Sequence, residues 1–195
     1  MKLVLASKNE KKLREMNDIL SGLGIEVCLQ ADVGVNVDVE ETGSTFEENS
    51  LLKAKAVMEA SGLPAVADDS GLCVDALNGA PGVYSARYGG EGLDDAARYK
   101  LLLANMPRGA ARTAKFVSVI TCCFPNGDVL SARGECPGVI TEVPAGEGGF
   151  GYDPVFFVPE LNKTFAQLTA QEKIAVSHRG KALAAFQEKL KAYLK

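Results

Sequence analysis

The 195-residue chain has no tryptophan and a single histidine, His178, and aromatic residues make up only 7% of it. One histidine excludes a multi-histidine zinc centre and leaves little from which to build a Ser–His–Asp or Cys–His mechanism. The phosphate-binding pattern GxxxxGK[ST] is absent, which removes the P-loop enzymes. No apolar run approaches the ~18 residues needed to cross a bilayer. The opening Met1-Lys2-Leu3-Val4-Leu5-Ala6 is too short for a signal core before charge begins, so no membrane partner is expected. The five cysteines (Cys28, Cys73, Cys122, Cys123 and Cys136) are odd in number and form no CxxC pair, which points to buried free thiols in a reducing cytoplasm. Cys122 and Cys123 are adjacent in an expected strand and should face opposite ways. Gly and Pro show no repeat, so collagen-like and linker compositions are excluded.

What is present is an ordinary globular composition, 47% hydrophobic and 24% charged, long enough for one domain with its own core. The net charge of −4 argues against wrapping a nucleic-acid polymer. The charge is segregated, however: residues 15–52 hold nine acidic side chains and no Lys or Arg, whereas residues 163–195 hold seven basic against two acidic. Such a chain suits a small polyanion, or simply carries a solvated charged surface.

Residues 2–6 fit a buried strand, and Ser7 with Asn9 then opens a helix whose Leu13, Met16, Leu20 and Leu23 keep helical spacing. Lys11 with Glu15 and Arg14 with Asp18 are i,i+4 pairs on it, and Gly22 and Gly24 are its stop signals. Residues 25–29 fit a second strand. A capping box, Thr45 with Glu48 or Ser44 with Glu47, starts a helix with Leu51, Ala54 and Met58 on one face. Residues 64–67 form a short apolar strand that delivers Asp68-Asp69-Ser70-Gly71, and a helix over 94–106 places Ala97, Leu101 and Ala104 together. Residues 115–124 and 129–136 fit antiparallel strands joined through Pro125-Asn126-Gly127-Asp128. Residues 155–158 read as a buried strand, and 177–194 as a last helix carrying Leu183, Phe186 and Leu190. The expected fold is a single α/β domain over 1–195. It has a mixed, twisted sheet flanked by helices, in two lobes around a central cleft.

Four groups of residues can carry chemistry. Ser7-Lys8-Asn9-Glu10-Lys11-Lys12 opens a helix, where free N–H groups and the helix dipole attract phosphate, although Asn9 can equally act as an ordinary cap. Asp68 and Asp69 end a buried strand and should face opposite ways. One can enter a cleft and hold Mg²⁺ or accept a proton, while the other bonds to backbone or a cap; an acidic turn is the plainer reading. Glu40-Glu41-Thr42-Gly43 offers Glu40 as a second oxygen ligand for Mg²⁺, which is usually held by one or two carboxylates plus phosphate. Finally, Gly149-Phe150-Gly151-Tyr152-Asp153-Pro154 gives close backbone approach and an aromatic stacking surface, and Lys173, His178 and Arg179 follow it. Phe150 and Tyr152 can also be core residues, and His178 a helix cap.

In order along the chain, ASKNEKKLREM, EETGSTFEENSLLKA, ADDSGLCVDAL, GAPGVYSARYGG, PAGEGGFGYDPVFF and SHRGKAL closely resemble the Ham1/RdgB family of inosine triphosphate pyrophosphatases, over residues 7–181. The resemblance implies a cytoplasmic, homodimeric, Mg²⁺-dependent enzyme that hydrolyses ITP, dITP and XTP to the monophosphate and pyrophosphate. By motif, Asp69 corresponds to the proton acceptor and a metal ligand, and Glu40 to the other ligand. Ser7, Lys8, Asn9, Glu10, Lys11 and Lys12 correspond to the triphosphate-binding turn, with Ser70 contacting substrate and Lys53 facing the phosphates. Phe150, Gly151, Tyr152, Asp153, Lys173, His178 and Arg179 match nucleoside-binding positions, while Lys8 stands where some members have Gly. A Maf-like pyrophosphatase for another altered nucleotide is disfavoured by the order of the motifs. A non-hydrolysing nucleotide sensor would have no need of Glu40 and Asp69.

Overall fold

The computed structural model describes residues 1–195. Strands are β1 (Lys2–Leu5), β2 (Glu26–Leu29), β3 (Ala65–Val74), β4 (Thr113–Cys123), β5 (Val129–Ile140), β6 (Phe156–Val158) and β7 (Lys163–Thr164). Helices are α1 (Glu10–Leu20), α2 (Phe46–Ser61), α3 (Asp95–Asn105), α4 (Ala170–Val176) and α5 (His178–Tyr193). The strands form one sheet in the order β2-β1-β3-β4-β5-β6-β7. β1 pairs in parallel with β2 and β3, and β6 pairs antiparallel with β5 and β7, so the sheet is mixed, as expected of an α/β chain.

The chain forms two compact units. The first comprises Met1–Asp69, Ser118–Gly134 and Lys181–Lys195, and the second Ser70–Val117 and Glu135–Gly180. The core of the first packs Leu3, Leu5, Met16 and Leu20 with Ile120 and with Leu183, Phe186 and Leu190 of α5. Asn17 ties α1 to β2, because its side-chain amide donates to Val27 O and accepts from Val27 N, both at 2.9 Å. The core of the second gathers Leu72, Leu102, Phe116, Ile140, Phe156 and Phe165. Phe116 stacks on Phe165 and meets Phe156 edge-on, geometries that aromatic quadrupoles favour. The five cysteines form no disulfide, and Cys122 and Cys123 enter different apolar clusters, as strand alternation requires.

Several elements differ from the sequence expectation. β3 does not end at Ala67 but runs ten residues, through both aspartates to Val74, because their carboxylates find partners and no longer oppose burial. α2 starts with the Thr45–Glu48 box, and it buries Phe46, Asn49, Ser50, Ala54 and Val57, while Leu51 stays 40% exposed. In α3 the buried residue is Leu102 rather than the Ala97, Leu101 and Ala104 face, since the larger side chain takes the core position. Arg14 pairs with Glu10 at 3.5 Å rather than with Asp18. α4 and β7 are additional elements; the Thr169–Glu172 capping box that starts α4 is visible in the sequence.

Candidate active site

In the first unit, alternation along β3 sends the two aspartates to different partners. Asp68 Oδ2 pairs with Lys12 Nζ at 2.8 Å, and Asp68 Oδ1 accepts from Ser118 Oγ at 2.6 Å. Asp69 Oδ1 pairs instead with Lys53 Nζ at 2.7 Å. Both lysines also donate to the Asp68 carbonyl at 3.2 Å. Asp69 Oδ2 is buried and has no hydrogen-bond partner. A buried carboxylate oxygen left unpaired costs about 1–3 kcal/mol or more, so Asp69 Oδ2 calls for a partner such as water, an ion or a ligand. Burial pushes the Asp69 carboxyl above its ordinary range, and the Lys53 ammonium pulls it only part of the way back. Lys53 is raised as well, because Asp69 and Glu41 outweigh the burial that works against its charge.

The acidic loop reaches this cluster through Glu41, whose Oε1 lies 2.7 Å from Lys53 Nζ. Glu40 is exposed, and its backbone carbonyl accepts from Thr42 N at 3.1 Å. The loop is pinned to the start of α2. Glu48 accepts from the Ser44 and Thr45 amides, and Asn49 Oδ1 accepts from Gly43 N at 2.8 Å.

At the start of α1 the cap anticipated from the sequence is formed. Asn9 Oδ1 accepts from the Lys11 and Lys12 amides at 2.9 and 3.3 Å, and Ser7 Oγ accepts from Asn9 N at 3.0 Å. Lys8, Glu10 and Lys11 are exposed beside it, while Lys12 turns inward to Asp68. The Lys11 and Lys12 amides are thus satisfied by Asn9, and the Lys12 ammonium is held by Asp68.

In the second unit, Asp153 organises the glycine-rich turn. Its Oδ2 accepts from Phe150 N at 2.9 Å and from Lys173 Nζ at 2.5 Å. Gly149, at φ +77°, has no room for a side chain, because a Cβ would lie 2.8 Å from Asp153 Cγ. Gly151 N donates to Asp95 Oδ2 at 2.7 Å. Burial raises the Asp153 carboxyl, against the pull of Lys173. The two aromatic residues of the turn divide. Tyr152 is 4% exposed and its hydroxyl donates to Ser85 O at 2.8 Å, whereas Phe150 is 45% exposed, with Lys173 Nζ 4.8 Å from its ring centre. Phe150 is therefore the exposed ring of the turn.

His178 and Arg179 open α5, where Ser177 Oγ accepts from Gly180 N at 3.1 Å. The His178 ring stacks on Phe116 at 4.7 Å, and Arg179 reaches Ser70 Oγ at 3.4 Å. Both side chains are buried, at 8% and 7% exposure, so their polar edges are fixed rather than solvated. Gly180 permits this close junction, since a Cβ there would overlap the Ile174 carbonyl and lie 2.9 Å from its carbon. Gly180→Ala should therefore cost about 2–3 kcal/mol and lower Tm by roughly 5–10 °C in a calorimetric scan. An unchanged Tm would mean that the end of α4 yields freely.

The profile of the Ham1 family matches residues 3–189. The chain belongs to this family. Among its relatives is a dITP/XTP pyrophosphatase of Haemophilus influenzae, 53% identical, spanning 97% of this chain and 98% of that protein. A dITP/XTP pyrophosphatase of Thermus thermophilus is 51% identical over 98% of this chain and 92% of its own length. The solved Ham1 protein of Staphylococcus aureus superposes with a TM-score of 0.93 at 42% identity, covering 99% of this chain and all of that one.

For a Ham1-family chain, the motif residues fall into two groups. Lys12, Lys53, Asp68 and Asp69 come together in the first unit, and Phe150, Asp153, Lys173, His178, Arg179 and Ser70 lie in the second. Sequence reasoning missed Glu41 as the loop carboxylate nearest Asp69, and it also missed Asn49 and Asp95 as holders of the two loops. A carboxylate pair such as Glu40-Glu41 gives no sign of which member turns inward.

Proposed function

We propose that the protein is a nucleoside triphosphate pyrophosphatase that hydrolyses deaminated purine nucleotides (dITP, ITP and XTP) to the monophosphate and pyrophosphate, in the cytoplasm and as a homodimer. The observation that carries this reading is the buried Asp69, with one oxygen on Lys53 and the other unpartnered. Relatives named dITP/XTP pyrophosphatase, about half identical over nearly the whole chain, support the substrate class.

Lys12, Lys53 and the α1 turn would take the triphosphate, and Ser70, Phe150, Lys173, His178 and Arg179 the nucleoside. A water attacks the α-phosphorus, so that a P–O bond forms to water while the bond to the β-phosphate oxygen breaks and pyrophosphate leaves. Asp69 accepts the proton of that water, a task its burial favours by making the carboxylate more basic. The residues also fit Mg²⁺. Asp69 Oδ2 is an unused buried oxygen, Lys53 already occupies a cation position between Asp69 and Glu41, and Glu40 stands next in the chain. When bound, Mg²⁺ would offset the charge that shifts to the leaving pyrophosphate. Pyrophosphate release from ITP with Mg²⁺, and its loss on chelation, tests the reading. Binding without release would favour a sensor.

Lys12→Ala removes a charge poised for the outer phosphates. Affinity for a non-hydrolysable triphosphate should fall about tenfold or more, as expected for a charge-assisted hydrogen bond, while that for IMP changes little. Equal losses in a calorimetric titration would place Lys12 away from the β- and γ-phosphates.

A further inference from the structure

Lys53 Nζ lies 2.7 Å from Asp69 Oδ1, 2.7 Å from Glu41 Oε1 and 3.2 Å from the Asp68 carbonyl. An ammonium has three hydrogens, and here each has an acceptor. The group therefore sits as a resident cation bridging Asp69 and Glu41. Lys12 neutralises Asp68 in the same way. Two ammonium groups already face Asp68, Asp69 and Glu41, which weakens the attraction for a hard ion that sheds water reluctantly. Asp69 Oδ2 is buried and has no donor.

We propose that Lys53 closes the Asp69–Glu41 pair to divalent ions in the free protein and that a polyphosphate draws its ammonium away, so that the metal enters only with the nucleotide. This rests on the reading above that Asp69 is a metal ligand. The phosphates supply acceptors for the displaced ammonium and, at the same time, the oxygens that complete the metal's coordination. Exchange of one cation for the other keeps Asp69 Oδ1 and Glu41 compensated throughout. By linkage, the metal and the nucleotide then raise each other's affinity by the same factor. Free metal alone has no such route, because it must compete with an ammonium whose three donors are all satisfied.

The test is nucleotide-free binding of Mn²⁺, the free ion being counted by electron paramagnetic resonance, to the full-length protein and to Lys53→Met. The apolar variant should bind Mn²⁺ about tenfold tighter or more, since a unit charge in contact with both carboxylates has gone. Lys53→Gln keeps an amide donor for the buried oxygens, should Lys53→Met not fold, and it should show the same gain. Adding Asp69→Asn to either variant should abolish that gain, which locates the ion. Folded neutral variants that bind Mn²⁺ as weakly as the parent would overturn the proposal. Pyrophosphate release by the parent protein, measured on the same preparation, keeps the two readings apart. Its absence would remove the proposed activity, whereas its presence with unchanged Mn²⁺ affinities would remove the Lys53 closure alone.

Discussion

Asp69→Asn should lower kcat for dITP by at least ~10²-fold, the low end for losing an acid–base group, while the nucleotide still binds. The amide is nearly isosteric and can still contact Lys53, but it cannot accept the proton of the attacking water. Asp68→Asn should act differently. Asp68 faces Lys12 and Ser118, so its loss frees the Lys12 ammonium and disturbs the strand without removing the proton acceptor. Single-turnover kinetics with both variants separates these outcomes. Near-normal turnover in Asp69→Asn, with turnover abolished in a folded Asp68→Asn, would reverse the two roles.

Arg179→Ala should compress the ratio of kcat/KM for ITP over ATP by about tenfold to a hundredfold, from a mismatch of about 1–3 kcal/mol. Hypoxanthine and xanthine present an oxygen at C6, an acceptor, whereas adenine presents an amino donor. A guanidinium has donors only. In this chain both side chains are buried at the start of α5, His178 against Phe116 and Arg179 beside Ser70, so neither can swing into water to escape a mismatch. Adenine would leave donor facing donor in a dry setting, while an oxygen at C6 satisfies it. Removal of Arg179 should cost ITP far more than ATP. A ratio left unchanged, with both substrates slowed alike, would assign Arg179 to the phosphates or to holding Phe150, whose ring centre lies 6.0 Å from its guanidinium carbon.

The parts of this molecule that were legible in the sequence are those governed by local rules. Asn9, the Thr45–Glu48 box and the alternation at Asp68 and Asp69 each follow from backbone geometry within a few residues, and each is present. Long-range pairing was not legible. β3 reads as ending at Ala67 because two aspartates and a glycine break an apolar run, yet Lys12 and Lys53, both distant in sequence, neutralise the carboxylates and let the strand continue to Val74. The register of α3 is not legible in the sequence, because small alanines satisfy helical spacing as well as Leu102 does, and only the available core volume separates them. The candidate site shows the same division. Its motifs were plain, but the pairing of Glu41 with Lys53 and the hold of Asp95 on Gly151 depend on loops that meet only in three dimensions.

The most direct measurement is hydrolysis of ITP in ¹⁸O-labelled water, with mass analysis of both products. Attack at the α-phosphorus places the label in IMP and leaves the pyrophosphate unlabelled. Label recovered in pyrophosphate, or release of orthophosphate in its place, would contradict cleavage assisted by Asp69 at the α-phosphorus.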